Sequence, residues 1–289
     1  MIRTALPLVL LTALLGCQPS LTPQQQAAEG RWQSWLEEQN RSARDPKTSF
    51  LNIRDAMYLA PGQSAYLDSQ ASPERIRWHD EASEGDLGLT HQGAVAALKL
   101  GEHQATLAVG EEWPLTEGLF LTVGRLHNEG LRAFVRDPNH PRVRDFPGYR
   151  YYPYNPEAAV TARFEPGEPK TVTFQTIRGL KNQLVRVGQV HFPWQGESVS
   201  LSAYHPTGEA PLEALVFLFK DGTNGDETYG GGRELLVDLP SGPAEPFTLD
   251  FNYTVNLYCA HSTFWNCPVL WDPPLAIEVA AGEQLPRDH

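Results

Sequence analysis

The sequence predicts a mainly β protein: two antiparallel units, sandwich or barrel-like, preceded by one short N-terminal helix. Three observations point there. From about Leu51 the apolar residues recur with a period of two, the alternation of half-buried strands. Turn pairs such as Pro61-Gly62, Gly101-Glu102 and Glu129-Gly130 cut the pattern into short pieces, as such folds require. Gly and Pro number 24 each in 289 residues, above the usual share but too few for a low-complexity chain.

The elements follow in order. Met1-Ile2-Arg3 carries one positive charge, and Ala5 to Leu15 is an apolar run broken by Pro7 and Thr12. That run is too short to span a bilayer, which takes about 20 apolar residues, and it reads as an export signal. It ends Leu14-Leu15-Gly16-Cys17, which resembles the lipobox of bacterial lipoproteins. The resemblance implies that Cys17 takes a diacylglycerol by thioether and becomes the first residue after cleavage. Residues 1–16 are then a signal peptide and 17–47 a lipid-anchored tether and helix. The expected location is the bacterial cell envelope, at the periplasmic face or outer membrane, with the membrane as partner through the Cys17 lipid. A plain secretory signal and a buried apolar start are the alternatives.

With Cys17 acylated, Cys259 and Cys267 remain. In an oxidising compartment they read as a disulfide. A metal pair with His261 and two free thiols are the competing readings.

A helix start follows the tether. Thr22 can cap, Pro23 suits the first helical position, and Gln25 completes a capping box. Trp32, Trp35, Leu36 and Gln39 fall near one face, and Asp45-Pro46 ends the helix. Trp32 and Leu36 are expected to dock it onto the body. The polar face is not basic enough for a membrane-surface helix.

A first β-domain is placed at 48–140, with strands at Ser64–Leu67, Arg75–His79, Ala94–Leu100, Ala105–Val109, Leu119–Val123 and Leu131–Val135. A Pro- and Tyr-rich joint runs from Asp137 to Pro156. Its tyrosines, Tyr149, Tyr151, Tyr152 and Tyr154, pack the joint or offer stacking platforms for sugar rings. A second β-domain is placed at 141–289. Its expected strands are Ala159–Phe164, Lys170–Thr176, Leu184–Phe192, Ser198–Tyr204, Ala214–Lys220, Arg233–Asp238, Phe247–Phe251 and Leu275–Val279.

Three runs in this second half resemble a known family. They are Arg144 to Pro153 (RDFPGYRYYP), Phe219 to Arg233 (FKDGTNGDETYGGGR), and Leu249 to Asn252 with Asn256, Cys259-Ala260 and Cys267-Pro268, followed by Ala281-Gly282-Glu283. In order and spacing they resemble the prokaryotic family called domain of unknown function 1684, over about residues 30 to 283 and most closely from Arg144 onward. Two departures mark this chain. Leu257-Tyr258 stands where the family has a proline pair, and the proline run after the second cysteine is shortened to Val269–Pro274. The resemblance implies no activity, so chemistry is sought in the residues.

Lys and Arg total 23 against 35 Asp and Glu, a net charge of −12. Such a chain repels phosphate backbones, which argues against nucleic-acid partners. The sequence contains no G-x-S-x-G elbow, no H-E-x-x-H pair and no Gly-Lys-Ser/Thr nucleotide loop. Neither metal nor cofactor is expected, and no catalytic residue is singled out. The candidate ligand-binding residues are Glu227, Tyr229, Arg233, Asp250, Asn252 and Asn256. In one reading Arg233 clamps an anionic ligand while Tyr229, Asn252 and Asn256 share its cleft. In the other, Arg233 pairs with Asp221, Asp226 or Glu227 and the amides cap turns. The functional expectation is a cell-envelope lipoprotein that binds a small polar or anionic ligand, a glycan or a protein partner. The alternative is a carboxylate-dependent hydrolase of envelope material.

Overall fold

A computed structural model describes residues 21–126, 130–205, 211–240, 242 and 245–286. The signal segment and Cys17 lie outside the described residues. Helix α1 spans Pro23–Ala43 and starts as its sequence requires. The Thr22 hydroxyl accepts from the Gln25 amide at 3.3 Å, and the Gln25 side chain accepts from the Thr22 amide at 2.9 Å.

Nine strands follow: β1 (Ile53–Leu59), β2 (Ser64–Leu67), β3 (Trp78–His79), β4 (Leu87–Gln92), β5 (Val95–Leu100), β6 (His103–Ala108), β7 (Glu112–Pro114), β8 (Phe120–Arg125) and β9 (Leu131–Arg136). They form two antiparallel sheets, ordered β1-β9-β8-β7 and β3-β2-β4-β5-β6. Leu67, Leu87, Leu89 and Leu98 from one sheet meet Leu121, Val123, Ala133 and Val135 from the other in a single apolar core. This is the layered solution for sheets that each have one apolar face. Strands β1, β4 and β7 are additions to the expected set. In β4, Gly88 breaks the apolar reading; it pairs with Tyr66.

After the four-residue helix α2 (Pro141–Arg144) come β10 (Ala159–Phe174), β11 (Asn182–Trp194), β12 (Glu197–His205), β13 (Ala214–Phe219), β14 (Arg233–Asp238), β15 (Pro246–Asp250) and β16 (Val255–Asn256). All seven join one antiparallel sheet in the order β15-β10-β11-β12-β13-β14-β16. Its outermost strands, β15 and β16, are separated by four residues of chain, which span at most about 18 Å. The two ends of the sheet are therefore held near each other, and the sheet curls round Phe192, Leu201, Phe217, Leu249 and Phe251.

Two expectations are corrected here. The strands expected at Ala159–Phe164 and Lys170–Thr176 are one long strand, whose register shifts between Pro166 and Lys170. A bulge absorbs Pro166 and Pro169 where a straight ladder could not. The strand expected at Leu275–Val279 is irregular backbone. Val279 is buried there as a strand residue would be, but its carbonyl accepts from Arg233 and its amide donates to Asp221 rather than to a neighbouring strand.

Candidate functional site

The second and third sequence runs do meet. Arg233 on β14 pairs across the ladder with Asn256 on β16, and the Tyr229 amide donates to Asn256 Oδ1 at 3.0 Å. What they build is internal. Arg233 has no solvent exposure. It forms an ion pair with Asp221 and donates to the carbonyls of Ala281 (2.8 Å) and Val279 (3.0 Å). Its guanidinium also lies 5.2 Å from the centre of the Phe219 ring. The reading of Arg233 as a ligand clamp gives way to the Asp221 pair, because a side chain sealed from water cannot meet a solute.

Asn252 is equally internal. Its side chain bridges Asp250 and both backbone groups of Asn155 at 2.7–2.9 Å, and its carbonyl accepts from the Trp32 indole at 2.9 Å. Asp250 in turn caps the Asn252 amide. This knot docks α1 and lies apart from the Arg233 pair, so the shared cleft of Tyr229, Arg233, Asn252 and Asn256 is not what these partners build. Glu227 is exposed and accepts from the Tyr152 hydroxyl. Tyr229 lines a shallow hollow of about 340 Å³ with Trp271 and Lys220.

Cys259 and Cys267 are bonded, with Cα atoms 6.2 Å apart, within the reach of a disulfide. The loop they close enters the junction between the two β-units. Phe264 and Trp265 pack on Ile53, Ala56 and Phe134. The Tyr58 hydroxyl donates to the Phe264 carbonyl at 2.9 Å. Beside this loop opens a cavity of about 710 Å³, walled by the 141–150 segment and residues 259–263.

Local chemistry shapes each wall. Gly148 holds φ at +102°, where an L side chain is strained, and a β-carbon there would sit 3.1 Å from Asn40 Oδ1. That approach lets Asn40 of α1 accept from the Tyr149 amide at 2.9 Å. Arg44 adds a donor to the Phe146 carbonyl at 3.2 Å. Arg142 and Arg150 border the cavity, and each spends one nitrogen on a backbone carbonyl, of His261 and Leu285 respectively. A guanidinium carries five N–H donors, so donors remain on both. The one carboxylate on the wall, Asp145, is paired with Arg144.

His261 sits on the same wall and is buried. Its Nε2 lies 2.5 Å from Glu283 Oε1. The other oxygen of Glu283 accepts from the Asn256 amide at 2.8 Å. Tyr149 stands edge-on to the imidazole at 5.2 Å between centroids, and Phe50 at 5.6 Å. Burial, reinforced by the negative charge of Glu283, pushes the Tyr149 and Tyr151 phenols well up from their ordinary range. Both remain protonated donors. In the sequence His261 stands only as a rival metal ligand and Glu283 as the tail of a motif. Nothing in their spacing, 22 positions apart, joins them.

The fold and site define a β-rich protein with a cationic cavity at the junction of its two β-units. The model of the family described as Protein of unknown function (DUF1684) matches this chain over residues 144–284. That span contains the disulfide loop, His261 and Glu283. The solution NMR structure of an uncharacterized protein of Haloarcula marismortui is similar, with 29% identity over 53% of this chain and 85% of that one, at a TM-score of 0.43. No curated protein matches.

Proposed function

We propose that this chain is a cell-envelope lipoprotein, anchored through Cys17, whose junction cavity binds a small anionic ligand. The observation that carries the reading is the charge of the cavity wall. In a chain of net charge −12, Arg142 and Arg150 converge on one concavity whose single carboxylate is already paired. A concave site with a few converging polar groups is the usual form of a small-molecule site. Arginine is suited to carboxylate and phosphate through paired hydrogen bonds. The lipobox-like run supports the envelope location, and the disulfide agrees with an oxidising compartment.

Isothermal titration of the mature protein with succinate, a small dianion, tests the ligand reading. Saturable binding is expected, weakened about tenfold or more by Arg142→Ala or Arg150→Ala, the scale of one lost charge-assisted hydrogen bond. Binding equal in the wild type and the double variant would refute it.

A further inference from the structure

We infer that His261 is a general base, oriented by Glu283, that activates water against an ester carrying an anionic group in the junction cavity. The inference rests on the reading of that cavity as an anion site.

Its first support is the tautomer that the hydrogen bonds impose. Glu283 is almost wholly buried, and its two oxygens accept from the Asn256 amide and His261 Nε2. An ionised carboxylate only accepts, so the proton of a neutral imidazole resides on Nε2 and the lone pair on Nδ1. No described residue hydrogen-bonds to that Nδ1, and the atom is not sealed from solvent. The ring borders the cavity.

The second support is rigidity. Tyr149 and Phe50 hold the ring edge-on. The backbone of His261 is fixed at both ends, its amide donating to the Tyr258 carbonyl at 2.9 Å and its carbonyl accepting from Arg142. The neighbouring disulfide closes the loop that carries it. Gly282, at φ +81°, lets Glu283 turn inward where a side chain would strike the Thr254 carbonyl. A fixed imidazole backed by a buried carboxylate is the geometry that accepts a proton and stabilises the resulting imidazolium.

No serine, threonine or cysteine among the described residues hydrogen-bonds to Nδ1, so the deprotonated group comes from solvent. Water gives a proton to Nδ1 while its oxygen bonds to the acyl carbon. The acyl carbon–oxygen bond then breaks, and the leaving alkoxide takes the proton from Nδ1. Ester and water become acid and alcohol, with Arg142 and Arg150 holding the anionic group. One proton carrier suffices for an alkoxide leaving group, which needs less protonation than an amine.

The test uses mature protein with mono-p-nitrophenyl succinate as the anionic ester and p-nitrophenyl acetate as the neutral one. The wild type should cleave the anionic ester faster. His261→Asn should slow that cleavage about a hundredfold or more while the circular dichroism stays unchanged. Long-range proton–nitrogen NMR should find the Nε2–H tautomer at His261, a preference lost in Glu283→Gln, whose role is positioning. An Nδ1–H tautomer in the wild type overturns the proposal, whatever the variants do. So does cleavage undiminished in His261→Asn. Succinate binding without cleavage of the anionic ester sinks the base and leaves the anion site standing. Absence of succinate binding sinks both.

Discussion

Arg233 places a charge where no water reaches it. Burial presses its pKa down from the usual value, and the charge of Asp221 works against that. The pair is one unit: removing Asp221 leaves a cation facing Phe219 and two carbonyls. Asp221→Ala should therefore lower stability by about 3–5 kcal/mol, the scale for an orphaned buried charge, read from urea unfolding midpoints. His140 makes a second residue-scale statement. Burial, with Arg54 nearby, lowers its pKa from 6.5 to about 4. Its Nδ1 accepts from the Arg142 amide at 3.1 Å, so protonation also forfeits the cap of α2. As pH falls below about 6.5 the unfolded chain takes up a proton that the folded one refuses. Stability should decline from there down to about pH 4 and then level off. His140→Gln should flatten that part of the pH profile, measured by denaturant melts at several pH values.

Helix α1 shows how an element is held by a few contacts. Most of its residues are exposed, and its buried face narrows to Trp32 and Ala43. Trp32 donates to the Asn252 carbonyl and packs on Tyr151 and Tyr154, while Trp35 meets Tyr151 and Tyr253. Tyr151 and Tyr154 of the joint thus pack under the helix, the first of the two roles open to them, while the Tyr152 hydroxyl goes to Glu227 and the Tyr149 ring to Phe50, Phe146 and His261. Trp32→Ala should cost about 3–5 kcal/mol and lower the helical circular dichroism signal as α1 detaches. Loss of stability without loss of helicity would mean that the helix stays docked through Trp35 and Asn40. Because Asn40 and Arg44 also position the 146–149 wall, undocking should weaken succinate binding as well.

Across the whole molecule the disulfide loop is the joint. Its Phe264 and Trp265 pack on the first β-unit, while Cys267 hydrogen-bonds back toward the second through the Ile177 amide. The cavity opens beside that joint, so its walls depend on elements from both halves. Five residues separate Cys17 from Pro23 at the start of α1, a reach of roughly 20 Å when extended. An anchor at Cys17 would keep the body close to the membrane surface. Cys17→Ala should move the protein from the membrane fraction to the soluble fraction, with intact mass showing loss of the lipid. Unchanged partitioning and unchanged mass would rule lipidation out.

Local chemistry was enough to read the start of α1, most of the strands and the β-rich class. Capping boxes, turn pairs and period-two runs act within a few residues, and Thr22, Pro23 and Gln25 do so regardless of the rest of the chain. The three motifs of the second half likewise sufficed for the family. Partner choice among distant charges was not legible. Arg233 had three carboxylates within reach in sequence, and only packing selects Asp221. The irregular 275–279 segment reads as a strand because its apolar residues alternate as in a strand, yet the Val279 backbone serves Arg233 and Asp221. His261 and Glu283 come together because β16 turns the disulfide loop back over the terminal segment. Hydrophobic pattern sets which faces are buried, but it is non-directional. Which polar groups meet is decided by the closing of long loops, whose ends carry no mark of each other in the chain.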